Sequence, residues 1–199
     1  MTRIKICGLK RCQDAEYALE LGVNALGFIH EKASPRYVDE SNFPWIERLP
    51  PFVVKVAVFG RVDRPVVQGI FDLVQGVEWD VFPVPSPKRI HALRLQSGQR
   101  AEDLANQTIN ASALHLDAYR EGAYGGTGHR VDWDLAAEIV QLSARPVILA
   151  GGLTPDNVAE AVRRVRPYAV DVSSGVESAP GVKDHAKMRD FVHAVLEAS

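Results

Sequence analysis

Short apolar runs recur along the chain, and most are followed by a segment whose apolar residues have helical spacing. A strand, a loop and a helix together need about 20 to 30 residues, so this recurrence predicts successive βα units. Eight such units favour an α/β fold with a closed parallel (β/α)8 barrel over an open sheet. The prediction rests mainly on six runs, because the fourth and fifth are weak. The eight runs begin near Ile4, Ala25, Val53, Leu73, Ile90, Ala113, Val147 and Ala169.

Capping residues mark several of the predicted helices. Thr154 precedes a proline and is expected to cap a helix that ends at Arg166-Pro167. Asp132 is expected to cap another helix, with an apolar face that includes Leu135, Ile139 and Leu142. The last helix is expected to follow Asp184.

The segment between the fourth and fifth runs carries prolines at alternate positions, Pro83, Pro85 and Pro87. A proline inside a helix costs about 3 kcal/mol. The fourth helix, between Asp80 and Ile90, is therefore predicted to be missing or replaced by an extended proline-rich crossover.

Composition narrows the class of protein. The 199 residues are 46% hydrophobic and 24% charged, with a formal net charge of −2. A nucleic-acid binder usually shows a basic excess, which this chain lacks. Its longest apolar stretches are too short to cross a bilayer, so a membrane protein is not expected either. No low-complexity linker divides the chain, so residues 1–199 are predicted to form a single barrel domain. Two cysteines make neither a disulfide framework nor a metal cluster, so we expect a cytoplasmic protein without a metal.

Two loops rich in glycine and serine follow the last two predicted strands. Glycines let main-chain N–H groups approach an anion, and a helix N-terminus adds a favourable dipole. Loops after strands 7 and 8 are the usual phosphate site of such barrels. The alternative is that these glycines only form tight turns. The candidate phosphate-binding residues are Gly151, Gly152, Ser173, Ser174 and Gly175, with Gly126 and Gly128 from a third glycine-rich loop after the sixth run.

Two residues at strand ends are candidates for proton transfer. Cys7 ends the first run and Asp117 ends the sixth. Active sites of these barrels lie at the carboxyl ends of the strands. A thiolate there could remove a proton, and a carboxyl group with a raised pKa could donate one. The alternatives are a cysteine that only packs in the core and an aspartate that only caps a loop.

An arginine, a second aspartate and the histidines are further polar candidates. Arg36, after the second strand, is a candidate carboxylate clamp, although most loop arginines are simply solvated. Asp171, on the eighth strand, is expected either to face the pocket or to make structural hydrogen bonds. The histidines show no metal-ligand spacing and are predicted to lie on the surface or in loops.

The motifs as a set resemble phosphoribosylanthranilate isomerases, in the same order from the first strand to the last helix. The segments that carry the resemblance are Lys5-Ile6-Cys7-Gly8-Leu9, Leu26-Gly27-Phe28, Ser34-Pro35-Arg36-Tyr37, Leu116-Asp117, Gly125-Gly126-Thr127-Gly128, Asp132-Trp133, Leu149-Ala150-Gly151-Gly152-Leu153, Val170-Asp171-Val172-Ser173-Ser174-Gly175-Val176-Glu177 and Pro180-Gly181-Val182-Lys183-Asp184.

The resemblance implies an Amadori rearrangement of a phosphorylated sugar derivative, a step of tryptophan biosynthesis that needs no cofactor. It implies that Asp117 is the general acid, Cys7 the general base and Arg36 the holder of the anthranilate carboxylate. The glycine and serine loops would hold the phosphate. The expected partner is the small-molecule substrate, with no nucleic acid or membrane, and the chain is expected to be a monomer or a homodimer.

One region departs from the family pattern. The family usually shows Gln-Leu-His-Gly-Glu after strand 4, where this chain has Val74-Gln75-Gly76-Val77-Glu78, and a lysine on strand 5, where it has Arg89-Ile90-His91. Two alternatives stay open: the barrel isomerase of histidine biosynthesis, which has overlapping chemistry, and a phosphosugar-binding barrel without catalysis, which the altered fourth unit favours. The first family has an aspartate base on strand 1, and the second needs neither Cys7 nor Asp117.

Overall fold

Eight parallel strands close into a barrel in the order β1 to β8, with β1 paired to β8. The computed structural model describes residues 1–60, 69–77, 88–96, 98–106, 111–118 and 131–199. The strands begin within two residues of the predicted runs, and the barrel prediction is confirmed. They are β1 Arg3–Cys7, β2 Ala25–Ile29, β3 Val54–Val58, β4 Leu73–Gly76, β5 Lys88–Leu95, β6 Ala113–Ala118, β7 Val147–Leu149 and β8 Ala169–Val172.

Helices cover the outside of this barrel, and a short antiparallel hairpin, β9 Glu177–Ala179 with β10 Val182–Lys183, follows β8. The two ends of the chain meet on one side, where the Thr2 N–H donates to Ser199 Oγ at 3.2 Å. The helices are α1 Cys12–Glu20, α2 Phe43–Glu47, α3 Ala101–Ala105, α4 Trp133–Leu142, α5 Val158–Val165 and α6 His185–Ala198.

The predicted helix boundaries are partly confirmed. Asp132 caps α4 by accepting from the N–H groups of Asp134 and Leu135. The end of α5 is also as predicted, since Arg166 adopts a left-handed conformation there. Its start is different: α5 begins at Val158, and the residue before it, Asn157, accepts the Thr154 N–H through its side chain. Neither Thr154 nor Asn157 caps the first turn of α5 through its side chain, so the capping role that the sequence assigned to Thr154 is wrong.

Alternate side chains of each strand point into the barrel. These inward-facing side chains differ between the amino ends and the carboxyl ends of the strands. Near the amino ends of the strands, apolar residues such as Val56, Ile90 and Ile148 fill the barrel. Toward the carboxyl ends, the inward positions on β1, β6 and β8 are polar or reactive. The barrel therefore has an apolar floor and a polar upper chamber.

Of the predicted apolar face of α4, Ile139 is buried and Leu135 packs against the core, but Leu142 is 47% exposed; Trp133 and Ala136 complete the buried face. The proline-rich crossover between Asp80 and Ile90 falls almost wholly on residues 78–87, outside the described residues. Among the residues described, no helix has the length and apolar character needed to cross a membrane.

Candidate active site

A cavity opens at the carboxyl ends of the strands and brings together nine of the eleven predicted site residues. Gly126 and Gly128 lie within residues 119–130, outside the described residues. The nine that line the cavity are Cys7, Arg36, Asp117, Gly151, Gly152, Asp171, Ser173, Ser174 and Gly175.

Cys7 is the last residue of β1 and is 6% exposed, at the wall of this cavity. Gly27 on β2 lies beside it, and a Cβ atom at that position would come within 2.8 Å of the Cys7 sulfur. Both cysteines are unpaired. Burial raises the pKa of the Cys7 thiol above its ordinary value, while the positive charges of Lys5 and Lys183 act in the opposite direction. The sulfur thus lies at the ligand cavity and beside two cations.

A buried cluster of three charged or polar side chains lies below Cys7. Asp171 Oδ2 accepts from Lys5 Nζ at 2.7 Å and lies 2.8 Å from His115 Nε2. Burial opposes ionisation of Asp171, but Lys5 and His115 outweigh it and hold the pKa of Asp171 below its ordinary value. Asp171 therefore faces the cavity and makes structural hydrogen bonds, which unites the two alternatives given for it.

Asp117 lies near the end of β6, on the same inward row as His115. Its Oδ1 accepts the Ala118 N–H at 2.8 Å. Burial raises the pKa of Asp117, and the nearby Asp171 adds to this, against the lowering effect of His115 and Arg94. A carboxyl group with a raised pKa keeps the proton that a general acid must donate.

The loops after β7 and β8 pack tightly against each other. Gly151 and Gly152 have φ of +81° and +69°, and a Cβ atom at Gly175 would lie 1.9 Å from the Leu153 carbonyl oxygen. These contacts alone require glycine, so glycine there is not in itself a sign of a ligand. A separate observation is that, in the described chain, the N–H groups of Gly152, Ser174 and Gly175 donate no hydrogen bond. They are available to an anion at the edge of the cavity.

Arg36 reaches the cavity from the segment after β2, and it is held by a residue that the sequence analysis did not single out. Its Nε and Nη2 donate to the two carboxylate oxygens of Glu177 at 2.9 and 2.7 Å. Lys183 in turn donates to Glu177 Oε1 at 2.9 Å. Both partners belong to segments that carry the family resemblance, but no single strand or helix pattern connects them to Arg36.

Lys5 and His115 were also missed as site residues. The prediction that the histidines lie on the surface or in loops is wrong for His91 on β5, which is 8% exposed, and for His115 on β6, which is 3% exposed. Lys5 and His115 each lie two residues before a predicted catalytic residue on the same strand, and strand alternation puts i and i+2 on one face. The two-residue alternation of a strand could therefore have identified Lys5 and His115 from the sequence.

Gln75 adds a polar group on the wall where the sequence departs from the family pattern. It lines the cavity, and its Oε1 atom is buried without a hydrogen-bond partner among the described residues. Buried polar atoms without a partner are uncommon, so this oxygen is suited to accept from a ligand. In the same described part of the chain, no group of three or more His, Cys, Asp or Glu is arranged to hold a metal ion.

The chain is similar to characterised proteins over nearly its whole length. Residues 4–194 match the family model described as N-(5'phosphoribosyl)anthranilate (PRA) isomerase. An N-(5'-phosphoribosyl)anthranilate isomerase of Geobacter metallireducens is 46% identical over 203 residues, which cover 96% of this chain and 98% of the relative.

Solved structures of this family also match. One phosphoribosyl anthranilate isomerase, in complex with reduced 1-(o-carboxyphenylamino)-1-deoxyribulose 5-phosphate, is 30% identical, with a TM-score of 0.80 over 99% of this chain and 100% of that one. A dimeric relative of Thermotoga maritima, solved as monomers, is 28% identical, with a TM-score of 0.79 over 98% of this chain and 99% of that one.

The similarity covers both halves of the barrel and every loop that lines the described cavity. It decides between the alternatives left open by the sequence, because the matching family is neither the related isomerase of histidine biosynthesis nor a binding protein without catalysis. The chain belongs to the N-(5'-phosphoribosyl)anthranilate isomerase family.

Proposed function

We propose that Cys7 and Asp117 are the base and the acid of the family reaction in this chain. The chain isomerises N-(5'-phosphoribosyl)anthranilate to 1-(2-carboxyphenylamino)-1-deoxyribulose 5-phosphate, the third step from chorismate to tryptophan. One observation carries the assignment of roles: a thiol from β1 and a carboxyl group from β6 line a single cavity that ends at the glycine loops. Binding alone would require neither group.

The two groups suit the two proton transfers of an Amadori rearrangement. Asp117 donates a proton to the furanose ring oxygen; the bond from that oxygen to C1 breaks, and the nitrogen lone pair forms the C1=N bond. The Cys7 thiolate then removes the C2 proton, and the electron pair moves to give the enolamine. Protonation at C1 and loss of the 2-hydroxyl proton give the ketone, so the protons balance over one turnover.

The remaining site residues are assigned to binding. Free N–H groups at Gly152, Ser174 and Gly175 support a phosphate site formed by these loops together with Gly151 and Ser173, to which Gly126 and Gly128 are also assigned. Arg36 would receive the anthranilate carboxylate, since Glu177 uses only two of the five N–H bonds of its guanidinium. Asp171 Oδ1, which is buried without a partner among the described residues, would accept from a substrate hydroxyl.

Several broader features belong to the same proposal. The family chemistry needs acid–base groups and no cofactor, and the expected partner is the phosphosugar substrate. We assign residues 1–199 to one barrel domain, as a monomer or a homodimer, in keeping with the dimeric relative. The free thiols of Cys7 and Cys12 are in keeping with a reducing compartment such as the cytoplasm.

The loss of anthranilate fluorescence on turnover gives the direct test. Cys7→Ser and Asp117→Asn are each expected to lower kcat about 10²-fold or more, the usual scale of a general acid or base. Cys12→Ser is the matched control, because Cys12 is the other free cysteine and does not line the cavity. Near-normal rates in both Cys7→Ser and Asp117→Asn would show that the roles are assigned wrongly.

A further inference from the structure

The hairpin after β8 carries a lysine whose side chain is completely buried. Lys183 Nζ donates to the carbonyl oxygens of Cys7 at 2.6 Å and Ser173 at 3.1 Å, and to Glu177 Oε1 at 2.9 Å. An ammonium group has three N–H bonds, so all of them are used. Two of the acceptors belong to the main chain at the proposed base and at the phosphate loop. A single side chain therefore connects the end of β1 to the loop that follows its neighbour β8.

Glu177 connects the same lysine to the proposed carboxylate clamp. Its two oxygens receive Arg36 Nε and Nη2, and one of them also receives Lys183. Burial works against ionisation of Glu177, but Arg36 and Lys183 hold its pKa below the ordinary value, so the carboxylate stays charged. One edge of the Arg36 guanidinium is fixed in this way, and three N–H bonds are left for a ligand.

The charges of this cluster, Arg36, Glu177 and Lys183, add up to one net positive charge. Buried ion pairs contribute little to stability by themselves, because desolvation opposes their attraction, and apolar replacements are often as stable. Stability is therefore a weak reason for the cluster. Its position is a better one, since Arg36 and the main chain of Cys7 and Ser173 border a cavity proposed to bind a carboxylate and a phosphate.

We infer that Glu177 and Lys183 are positioning residues, which hold Arg36, the end of β1 and the loop after β8 in one rigid frame. Neither residue lines the cavity, so each acts through a neighbour. Glu177 aims Arg36 at the substrate carboxylate, and Lys183 fixes the distance between the Cys7 main chain and the phosphate loop. The inference rests on the proposed function, because it takes the substrate's two anionic groups from there.

The role of Glu177 is tested by binding two stable ligands to the intact protein. One is reduced 1-(o-carboxyphenylamino)-1-deoxyribulose 5-phosphate, and the other is the same compound without its carboxylate. Glu177→Gln should weaken binding of the first about tenfold, as for loss of one charge-assisted interaction, and change the second little. Arg36→Met should show the same selectivity. Glu197→Gln, an exposed glutamate on α6, is the matched control.

The role of Lys183 is tested by separating kcat from KM. Lys183→Met should lower kcat about 10²-fold, the scale of a small misplacement of reacting groups, with a smaller change in KM. The charge of Lys183 also lowers the pKa of Cys7, so its loss should move the pH dependence of Cys7 alkylation to higher pH. Lys88→Met, an exposed lysine at the start of β5, is the control, and all variants carry Cys12→Ser.

The results separate three explanations. Equal weakening of both ligands by Glu177→Gln would overturn its role in aiming Arg36. A Lys183→Met variant with an unchanged alkylation profile, and with activity reduced only by its unfolded fraction, would reduce that lysine to a structural residue. If the wild type neither binds nor turns over, the proposed function fails instead, and the alkylation profile still tests Lys183. Should Lys183→Met not fold, Glu177→Gln decides the matter.

Discussion

At the scale of single residues, the ionisation of Cys7 depends on a balance between burial and nearby charge. Burial disfavours the thiolate, and Lys5, two residues earlier on the same strand, favours it. Asp171 accepts from Lys5, so the lysine stays protonated although it is buried, and its own pKa is raised. The Asp171 carboxylate on β8 thus keeps Lys5 charged, and the charge of Lys5 in turn favours ionisation of the Cys7 thiol.

This balance predicts the effect of Lys5→Met. Removing the positive charge should raise the pKa of Cys7, so the rise of kcat/KM with pH, and of Cys7 alkylation with it, should move to higher pH. Lys55→Met is the matched control, because Lys55 lies on β3 at a position that alternates away from the inward-facing valines 54, 56 and 58. An unmoved profile in Lys5→Met would show that Lys5 does not activate the thiol.

The residue scale also shows what the sequence could reveal of the site. Cys7 and Asp117 were predictable because each ends an apolar strand, where barrel active sites lie. Glu177 and Lys183 were not assigned a role, because their contacts to Arg36 and Cys7 span 141 and 176 residues along the chain. No local period reports such a contact.

At the scale of elements, the loops after β7 and β8 depend on each other. The close approach between Gly175 and the Leu153 carbonyl leaves no room for a side chain. We expect Gly175→Ala to push the two loops apart, with a loss of stability of about 1–3 kcal/mol as for an overpacked site. The affinity for phosphate ligands should fall as the N–H groups move.

Phosphate inhibition and thermal unfolding measure both effects of Gly175→Ala. Gly69→Ala is the control, because a Cβ atom there meets no atom of the described residues within 4 Å and the backbone needs no left-handed conformation. Unchanged phosphate inhibition in Gly175→Ala would remove the loops from the proposed phosphate site.

Helix α4 gives a second prediction at this scale. Asp132→Ala leaves two N–H groups of the first turn without their acceptor and should cost about 1 kcal/mol. Glu138→Ala, an exposed position within the same helix, is the control in the same denaturant titration. Equal unfolding free energies for the two variants would contradict the capping role.

The strands were predicted more accurately than the ends and buried faces of the helices. The eight strands were predictable because buried parallel strands are apolar runs of a few residues. The start of α5 and the exposure of Leu142 were not, because a capping residue and an apolar spacing do not determine which turn begins a helix or which apolar residues its neighbours cover. Tertiary contacts of this kind leave no local mark in the sequence.

At the scale of the whole molecule, buried charges make stability depend on pH. Burial lowers the pKa of His30 and His91 from 6.5 to about 4, because their surroundings disfavour the charged imidazole. Their folded pKa lies below the unfolded value, so the stability that they contribute is complete above pH 6.5 and is lost between pH 6.5 and about 4. The pKa values of Asp14 and Glu177 are also lowered in the folded protein, so the stability that these two carboxylates contribute is lost at more acidic pH.

Thermal unfolding between pH 8 and pH 4 checks this. We expect the melting temperature to fall below pH 6.5, and to fall less steeply when His30→Gln and His91→Gln are combined, because glutamine does not titrate. His193→Gln, at an exposed position on α6, should leave the slope unchanged. The same acid slope in the double variant would contradict the assignment.

The meeting of Thr2 and Ser199 has a consequence for how this protein can be rebuilt. Because Thr2 and Ser199 are neighbours, a short peptide could join the two ends, and new ends could be opened at the exposed Phe52 turn before β3. Such a circular permutant would place β8 ahead of β1 in the chain while keeping every contact between them. The thiol and the anion loop would then emerge from the ribosome almost together instead of at opposite ends of synthesis.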